Sequence, residues 1–218
     1  MIHTGIVKLS HMSVKDYLLS RPLGVGTTTF SIDEKLSHSL IAKTCLAYLL
    51  QFNNLDILNG DTINNFPLAQ YAAEYWILHV RCGGDDWDDT EQKLVKTLFQ
   101  PRHTAPFILW VRLYDIDGPW GWETFESKKV EIPSPIYYAS LAGLLPAVQA
   151  LVENGVDMNA QEGVYGNSLQ AASYDGHEAV VSMLLEKGAD VNAKGGKYGN
   201  ALQAASYMGY EAIMDLLL

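Results

Sequence analysis

The chain has 218 residues, of which 48% are hydrophobic, so it carries enough apolar material for the core of one or two domains. Asp and Glu outnumber Lys and Arg by 25 to 15, which gives a formal net charge of −10. Because a protein that binds phosphates needs clustered cations, this balance argues against nucleic acid as a partner. No apolar run reaches the roughly 18 residues of a membrane-spanning helix, and no secretion signal opens the chain. We therefore expect neither membrane association nor secretion.

The two cysteines, Cys45 and Cys82, both lie within apolar helical patterns. Their number and spacing do not indicate the disulfide framework of a secreted protein. We expect both to be core thiols of a protein in a reducing compartment, the cytoplasm.

The beginning of the chain predicts a strand followed by two helices. Residues 6–9 alternate like a strand, and residues 13–16 have the spacing of a capping box before a short helix. Residues 21–29 are typical of a loop. A second capping box at 31–34 predicts a helix that runs to about residue 52. The buried face of this helix is expected to contain Ile41, Cys45, Tyr48, Leu49 and Phe52.

The next predicted helix runs from Pro67, a favoured residue of the first turn, to about Cys82. Apolar residues lie on both of its sides, so we expect neighbouring elements to cover it nearly all round. One side carries Leu68, Tyr71, Ala72, Tyr75 and His79, and the other carries Ala69, Ala73, Trp76 and Val80.

Two more helices are expected before residue 115. An acidic turn at 85–89 provides Asp89 as the cap of a helix that ends at Phe99. Residues 104–114 have the composition of a buried helix. Residues 115–132 are predicted to be a linker, with the aromatic anchors Trp120, Trp122 and Phe125.

The last fifth of the chain contains a repeat with a period of 33 residues. The segment 165–185 occurs again at 198–218, with 14 of 21 positions identical, and a fainter copy lies one period upstream. A fixed period of this length indicates a repeat architecture. Each unit contains two short apolar helical patterns joined at a glycine, such as Gly176, and closed by another, such as Gly188. One unit cannot cover its own apolar face, so we expect the units to stack.

These units resemble the ankyrin repeat, most clearly in the segments 154–160 and 187–193. The usual Thr-Pro-Leu-His is replaced by Asn-Ser-Leu-Gln at 167–170 and by Asn-Ala-Leu-Gln at 200–203. Asn and Gln can still bridge neighbouring turns, although the missing proline predicts a less firmly fixed helix start. We expect an all-α protein, with an N-terminal helical domain at 1–132 and an ankyrin-repeat α-solenoid of about three repeats at 133–218.

The helical part also resembles a known family, through residues 9–18 (LSHMSVKDYL), 41–50 (IAKTCLAYLL) and 67–76 (PLAQYAAEYW). Together with the Tyr-Gly-Asn repeats, they are similar to fungal NACHT-ankyrin proteins, the NOD-like receptors of filamentous fungi. The matching part is the end of the winged-helix segment and the helical region that precedes the repeats. The resemblance implies cytosolic sensing and signalling, in which an NTPase assembles and the repeats recognise a partner.

No catalytic chemistry is evident in the sequence. A phosphate-binding loop needs Lys followed by Ser or Thr after its glycines, and neither 24–27 nor 195–198 supplies this. His79 and Cys82 are the only pair of possible metal ligands at helical spacing, but a metal would need further ligands, and a core histidine is the simpler interpretation. Residues 115–118 lack the ligands of a calcium loop, and residues 85–89 are explained by helix capping. We expect no enzyme activity, no metal and no cofactor.

Protein recognition remains as the function. In ankyrin-type repeats the turns before the first helices, called fingers, and the first helices themselves form one concave surface. The residues left exposed after the core is filled are expected to contact a protein partner. These are Leu141, Ala142, Tyr174, Asp175, Tyr207 and Met208 on the first helices, and Val164, Tyr165, Lys197 and Tyr198 on the fingers.

The repeats hold 3 Lys and Arg against 9 Asp and Glu, and this is compatible with a solvated surface or with a patch for a basic partner. At the end of the last repeat, Met214, Leu216, Leu217 and Leu218 are expected to be uncovered, so that the repeat frays or self-associates. Two alternatives to a binding module stay open. The chain could be part of a NACHT-type signalling NTPase whose catalytic domain lies elsewhere, or an inactive structural remnant.

Overall fold

The computed structural model describes residues 33–57, 62–84, 87–118 and 132–218. Within these ranges the protein forms ten α-helices and no β-strand, which confirms the all-α class. The expected strand at 6–9, the helix after residue 16, the loop at 21–29 and the three aromatic anchors of the linker lie outside the described residues.

Helix α1 (Glu34–Leu50) begins at Asp33, whose side chain accepts a hydrogen bond from the Leu36 amide at 3.0 Å. Its buried face is Ala42, Cys45, Leu46 and Leu49, and Phe52 is buried just beyond its end. The prediction that Ile41 is buried is wrong. The buried residues follow an i, i+3, i+4, i+7 pattern from Ala42, so Ile41 lies at the edge of this face and is exposed.

Two 3₁₀ turns, Leu55–Ile57 and Ile63–Asn65, precede helix α2 (Ala69–Gly83), which packs mainly against α1. Helix α2 buries Ala69, Ala73, Trp76 and Val80, but the prediction of cover nearly all round is wrong. On its other side the side chains of Leu68, Tyr71, Tyr75 and Leu78 are exposed.

The cysteines also differ from each other. Cys45 is buried between α1 and its neighbours, whereas Cys82 is exposed on the last turn of α2. The prediction of a core thiol is therefore wrong for Cys82. The apolar pattern of α2 ends at Val80, which is the last residue of this helix to be buried.

Helix α3 (Asp89–Leu98) is capped by Asp88, one residue before the Asp89 expected from the sequence. The Asp88 carboxylate accepts from the Glu91 amide at 2.9 Å and forms an ion pair with Lys43 of α1. The Asp88 side chain therefore both caps α3 and connects it to the distant helix α1.

Helix α4 (Ala105–Leu113) joins the preceding helices through an aromatic core. The rings of Trp76, Phe99, Phe107 and Trp110 pack with centroid separations of 5.4 to 6.1 Å. The Trp110 indole also donates to the Ala73 carbonyl at 3.1 Å. Such pairs add about 0.5–1.5 kcal/mol each beyond the area that they bury.

The repeats form three pairs of antiparallel helices. The pairs are α5 (Pro135–Leu141) with α6 (Leu145–Glu153), α7 (Ser168–Tyr174) with α8 (Glu178–Glu186), and α9 (Ala201–Met208) with α10 (Glu211–Leu217). Gly143, Gly176 and Gly209 connect the two helices of each pair with positive φ angles of 71°, 83° and 79°. The sequence prediction of helix pairs joined at glycine is confirmed.

Helix α7 begins with a capping box that compensates for the missing proline. Asn167 accepts from the Gln170 amide at 2.9 Å, and the Gln170 side chain accepts from the Asn167 amide at 2.8 Å. The side-chain Nε2 of Gln170 also donates to the Gly195 carbonyl of the next unit at 3.1 Å. These bonds confirm the bridging role predicted for Asn and Gln, and they fix the helix start that the sequence predicted to be less firm.

The buried residues of the helical region and of the repeats belong to one continuous core. At their contact the Tyr138 ring of α5 lies 5.8 Å from the rings of both Phe107 and Trp110. Every residue of α5 is buried. The first repeat is therefore covered by the helical region on one side and by the second repeat on the other.

Candidate protein-interaction surface

The two fingers are short turns at 162–166 and 195–199. Each is closed by an isolated antiparallel bridge between its first and last residue. The fingers lie against each other, because the Lys197 amide donates to the Val164 carbonyl at 2.8 Å. Gly196 permits this approach, since a Cβ atom there would lie 2.0 Å from the Tyr165 carbonyl oxygen.

Four tyrosines from the fingers and first helices form a continuous row of rings, which we call the tyrosine stack. Its members alternate between finger and helix in the order Tyr165, Tyr174, Tyr198 and Tyr207. Successive ring centroids are 4.0, 5.3 and 4.8 Å apart, with interplanar angles of 19°, 18° and 37°. The sequence assigned two of these tyrosines to the first helices and two to the fingers, and the structure places all four in one row.

The tyrosine stack is polar at its edges but uncharged. Burial and the hydrogen bond with Tyr174 raise the pKa of Tyr165, so its phenol stays protonated at physiological pH. The Lys197 ammonium group lies 5.3 Å from the centroid of the Tyr198 ring, within the range of a cation–π contact. The row therefore offers hydroxyl groups, ring edges and one cation to a ligand.

Exposure increases along the stack towards the last repeat. Tyr165, Tyr174 and Tyr198 are partly buried, because neighbouring rings cover their faces. Tyr207 is 71% exposed, and Met208, Val164 and Lys197 are exposed as well. The four tyrosines, Met208, Val164 and Lys197 are therefore accessible to a partner, either fully or in part.

The prediction that Leu141 and Ala142 are exposed is wrong. Leu141 is only 5% exposed and Ala142 is buried. The Arg81 guanidinium of α2 donates to the Ala142 carbonyl at 3.1 Å, and a His177 ring nitrogen lies 3.0 Å from the Leu141 carbonyl. The helical region and the second repeat thus cover the surface that the first repeat would offer to a partner.

Asp175 is accessible only in part, since it is held by two neighbours. Its carboxylate pairs with Arg81 and with His177, each at 2.9 Å. Although burial opposes the effect, the hydrogen bonds and charges of His177 and Arg81 lower the pKa of Asp175. Asp175 therefore connects the second repeat to the helical region, and part of its bonding capacity is already used.

The described residues contain no cluster of three or more His, Cys, Asp or Glu side chains that could hold a metal ion. His79 instead contacts His38, with 2.7 Å between their Nδ1 atoms, and the Tyr71 hydroxyl at 2.9 Å. Among the helices that the structure describes, none is long and apolar enough to span a bilayer.

The sequence did not predict that residues before the repeats form hydrogen bonds with the turns and fingers of the repeats. Arg81 lies 94 residues before Asp175, and no local pattern connects them. Asp117 falls within the segment predicted to be a linker, yet its carboxylate accepts from the Val164 amide at 2.8 Å, 47 residues away. The one signal for a distant contact was that Asp117 is an aspartate, although several other residue types could form the same turn.

The helix pairs, the fingers and their 33-residue period define the class of this region, and residues 131–218 match the family model for ankyrin repeats in three copies. A curated protein from the fungus Monascus ruber, named azaphilone pigments biosynthesis cluster protein L, is 38% identical to this chain over 184 residues. The match covers 79% of this chain, so it includes part of the helical region as well as repeats. This chain spans about 38% of the length of that relative.

Proposed function

We propose that the chain is a non-enzymatic protein-binding module that recognises its partner with the fingers and the tyrosine stack. The observation that carries this proposal is the aligned row of four tyrosines, which ends at the exposed Tyr207. The recognition surface consists of Val164, Tyr165, Tyr174, Lys197, Tyr198, Tyr207 and Met208, with a partial contribution from Asp175.

The physical argument for this surface is preorganisation. Tyrosine is enriched in the residues that dominate binding energy, because it supplies a large amphipathic contact with few rotatable bonds. In the stack each ring is held by its neighbours before any partner arrives, so binding would lose little side-chain entropy. A repeat surface of this kind suits a protein partner that presents a complementary face.

Site-specific photo-crosslinking in cells tests the location of the surface. A photoreactive residue at Met208 should capture a partner, whereas the same residue at the exposed Ala179 of α8 should not. Replacing Tyr174 and Tyr207 together by Ala should abolish the capture without changing helicity, and Tyr75→Ala in the helical region serves as the matched control. Equal capture from Ala179, or unchanged capture by the double variant, would move the site elsewhere.

The likeness to fungal NACHT-ankyrin proteins leads to a finer proposal, a piece or remnant of a NOD-like receptor that acts in the cytoplasm. The similarity to a longer fungal protein fits one part of this proposal, that the chain is a piece of a longer protein. The alternatives are a part of a NACHT-type signalling NTPase and an inactive remnant. Mapping the transcript of the locus separates a piece of a longer protein from a remnant, because only a piece of a receptor or of an NTPase requires an upstream frame with a phosphate-binding loop.

We also propose that the last repeat mediates self-association. Leu216 is 43% exposed on α10, the second helix of the third repeat, whereas the prediction that Leu217 is uncovered is wrong, because only 8% of it is exposed. A chain that ends at Ala193 lacks this surface, so it should be no less soluble than the longer chain and should sediment as a monomer. Precipitation of the shorter chain, while the longer one stays soluble, would contradict this role.

A further inference from the structure

The backbone contact that joins the two fingers has a counterpart one period earlier. The Lys197 amide of the second finger donates to the Val164 carbonyl of the first finger at 2.8 Å. Val164 occupies in the first finger the position of Lys197, and its amide donates to the Asp117 carboxylate, also at 2.8 Å. The Asp117 carboxylate is thus the hydrogen-bond acceptor for the first finger, as the Val164 carbonyl is for the second.

A second contact follows the same pattern. Gln170 of α7 binds the second finger through its side chain, at the Gly195 carbonyl. Tyr137 lies one period before Gln170, and its hydroxyl oxygen accepts from the Tyr165 amide of the first finger at 3.1 Å. The same hydroxyl donates to Asp117 at 2.5 Å. The second finger is held by a carbonyl of the first finger and by the Gln170 side chain. The first finger is held in the same two places, by Asp117 from outside the repeats and by Tyr137, which stands at the position of Gln170.

We propose that the loop Asp115–Gly118 is a surrogate finger, which contacts the first finger from the side of the helical region as the first finger contacts the second, with Asp117 as its positioning residue. The loop holds the Val164 amide directly and the Tyr165 amide through Tyr137. In this way the helical region sets the place of the first ring of the tyrosine stack. The surrogate finger has this role whether or not the stack is the surface that binds the partner.

The burial of Asp117 is explained by this role. Asp117 is only 8% exposed, and burial raises the pKa of its carboxyl group against the opposing effect of its hydrogen bonds. A buried carboxylate is unfavourable unless donors satisfy it, and here the donors are a phenol and a finger amide. Removing it would leave the Val164 amide without its acceptor.

The simpler interpretation, a turn that caps itself, fits Asp115 instead. The Asp115 carboxylate accepts from the Asp117 amide two residues later at 3.0 Å, which is the usual contact of such a turn. It also accepts from the Tyr138 hydroxyl at 2.8 Å. The Asp117 carboxylate reaches Tyr137 and the first finger, so the two aspartates of one loop have different tasks.

The close approach of the first finger to α5 supports a dedicated contact. A Cβ atom at Gly163 would lie 2.2 Å from the Tyr137 ring, so only glycine permits the finger to pack there. Gly196 has the same relation to the first finger, where a Cβ atom would lie 2.0 Å from the Tyr165 carbonyl oxygen. Each finger therefore packs at a matched glycine against the element before it.

Residue-resolved amide hydrogen exchange on the full chain tests the surrogate finger. In Asp117→Ala both carboxylate oxygens are lost, so the Val164 amide and the Tyr137 hydroxyl lose their shared partner, and the exchange of Val164 and Tyr165 should accelerate by about tenfold or more. A smaller acceleration is expected at Lys197, which depends on Val164. The contact of Glu162 with the Ser134 amide at 2.8 Å persists in this variant and keeps the finger in the folded protein.

Asn159→Ala is the matched control, because Asn159 makes a comparable bond to the Asp190 amide at 2.9 Å, away from the fingers. It should accelerate exchange at Asp190 and leave Val164 unchanged. If Asp117→Ala changes Val164 no more than Asn159→Ala does, the surrogate finger is refuted. If Asp117→Ala does not fold, Tyr137→Phe decides, since it keeps the ring and should accelerate Tyr165 more than other finger amides; protected Tyr165 in that variant would refute the proposal.

Discussion

The second and third repeats differ little in sequence and much in environment. Gln170 and Ser173 are fully buried in the second repeat, whereas Gln203 and Ser206, which occupy the same positions in the third, are exposed. The tyrosines behave in the same way, with Tyr174 sandwiched between two finger rings and Tyr207 covered on one face. In a stacked array the neighbour decides whether a residue stabilises the fold or remains available for binding.

The largest expected difference between the two repeats concerns their second helices. Leu184→Ala removes a side chain with no solvent exposure and should lower the free energy of unfolding by about 2–5 kcal/mol. Leu217→Ala, the matched change in the third repeat, should cost less, because 8% of Leu217 is already exposed in the folded protein. Chemical denaturation of both variants measures the difference. Equal losses would mean that the third repeat is as tightly packed as the second.

An intermediate difference is expected for the bridging glutamines. Gln170→Ala removes the side-chain contact to the partly buried Gly195 carbonyl of the next finger and the capping-box contact to the buried Asn167 amide, at a cost of about 1–3 kcal/mol. Gln203→Ala, at the matched exposed position, should change the free energy of unfolding by less than about 0.5 kcal/mol. A shift of similar size in both denaturation midpoints would contradict this comparison.

The smallest expected difference appears in acid. The pKa of Asp175 is lowered in the folded state, so its contribution to stability is fully present above the unfolded value of about 3.9 and is lost as the pH falls through the folded value. Asp175→Asn should be less stable than the parent chain at neutral pH and should approach it below about pH 4. Thermal unfolding across this range measures the trend. Met208→Asn, at the matched position of the third repeat, should show no such convergence.

Local features of the fold were predictable, because they depend on neighbours in the sequence. The helix pairs and the glycine turns follow from spacing within one unit. The errors concern which neighbour covers a face. Periodicity placed Ile41 and Leu141 on helices but could not show that the first is uncovered and the second is buried.

The candidate surface was predicted in part for the same reason. The period of 33 aligned Tyr174 with Tyr207 and Tyr165 with Tyr198, but stacking of the two pairs into one row depends on the three-dimensional fold. The contributions of Arg81 and Asp117 come from residues far away in the chain. A charged residue near a helix end or in a turn has too many ordinary roles for its distant partner to be inferred.

The complete burial of α5 has a consequence for how the array can change in length. The first repeat matches the helical region through side chains that the other units lack, such as Tyr137 and Tyr138, and so it cannot be exchanged for another copy. The second and third units share a common joint, so a gene duplication between them would insert a unit without disturbing either end. Each such insertion would add one finger tyrosine and one helix tyrosine, and selection could lengthen the tyrosine row in steps of two rings.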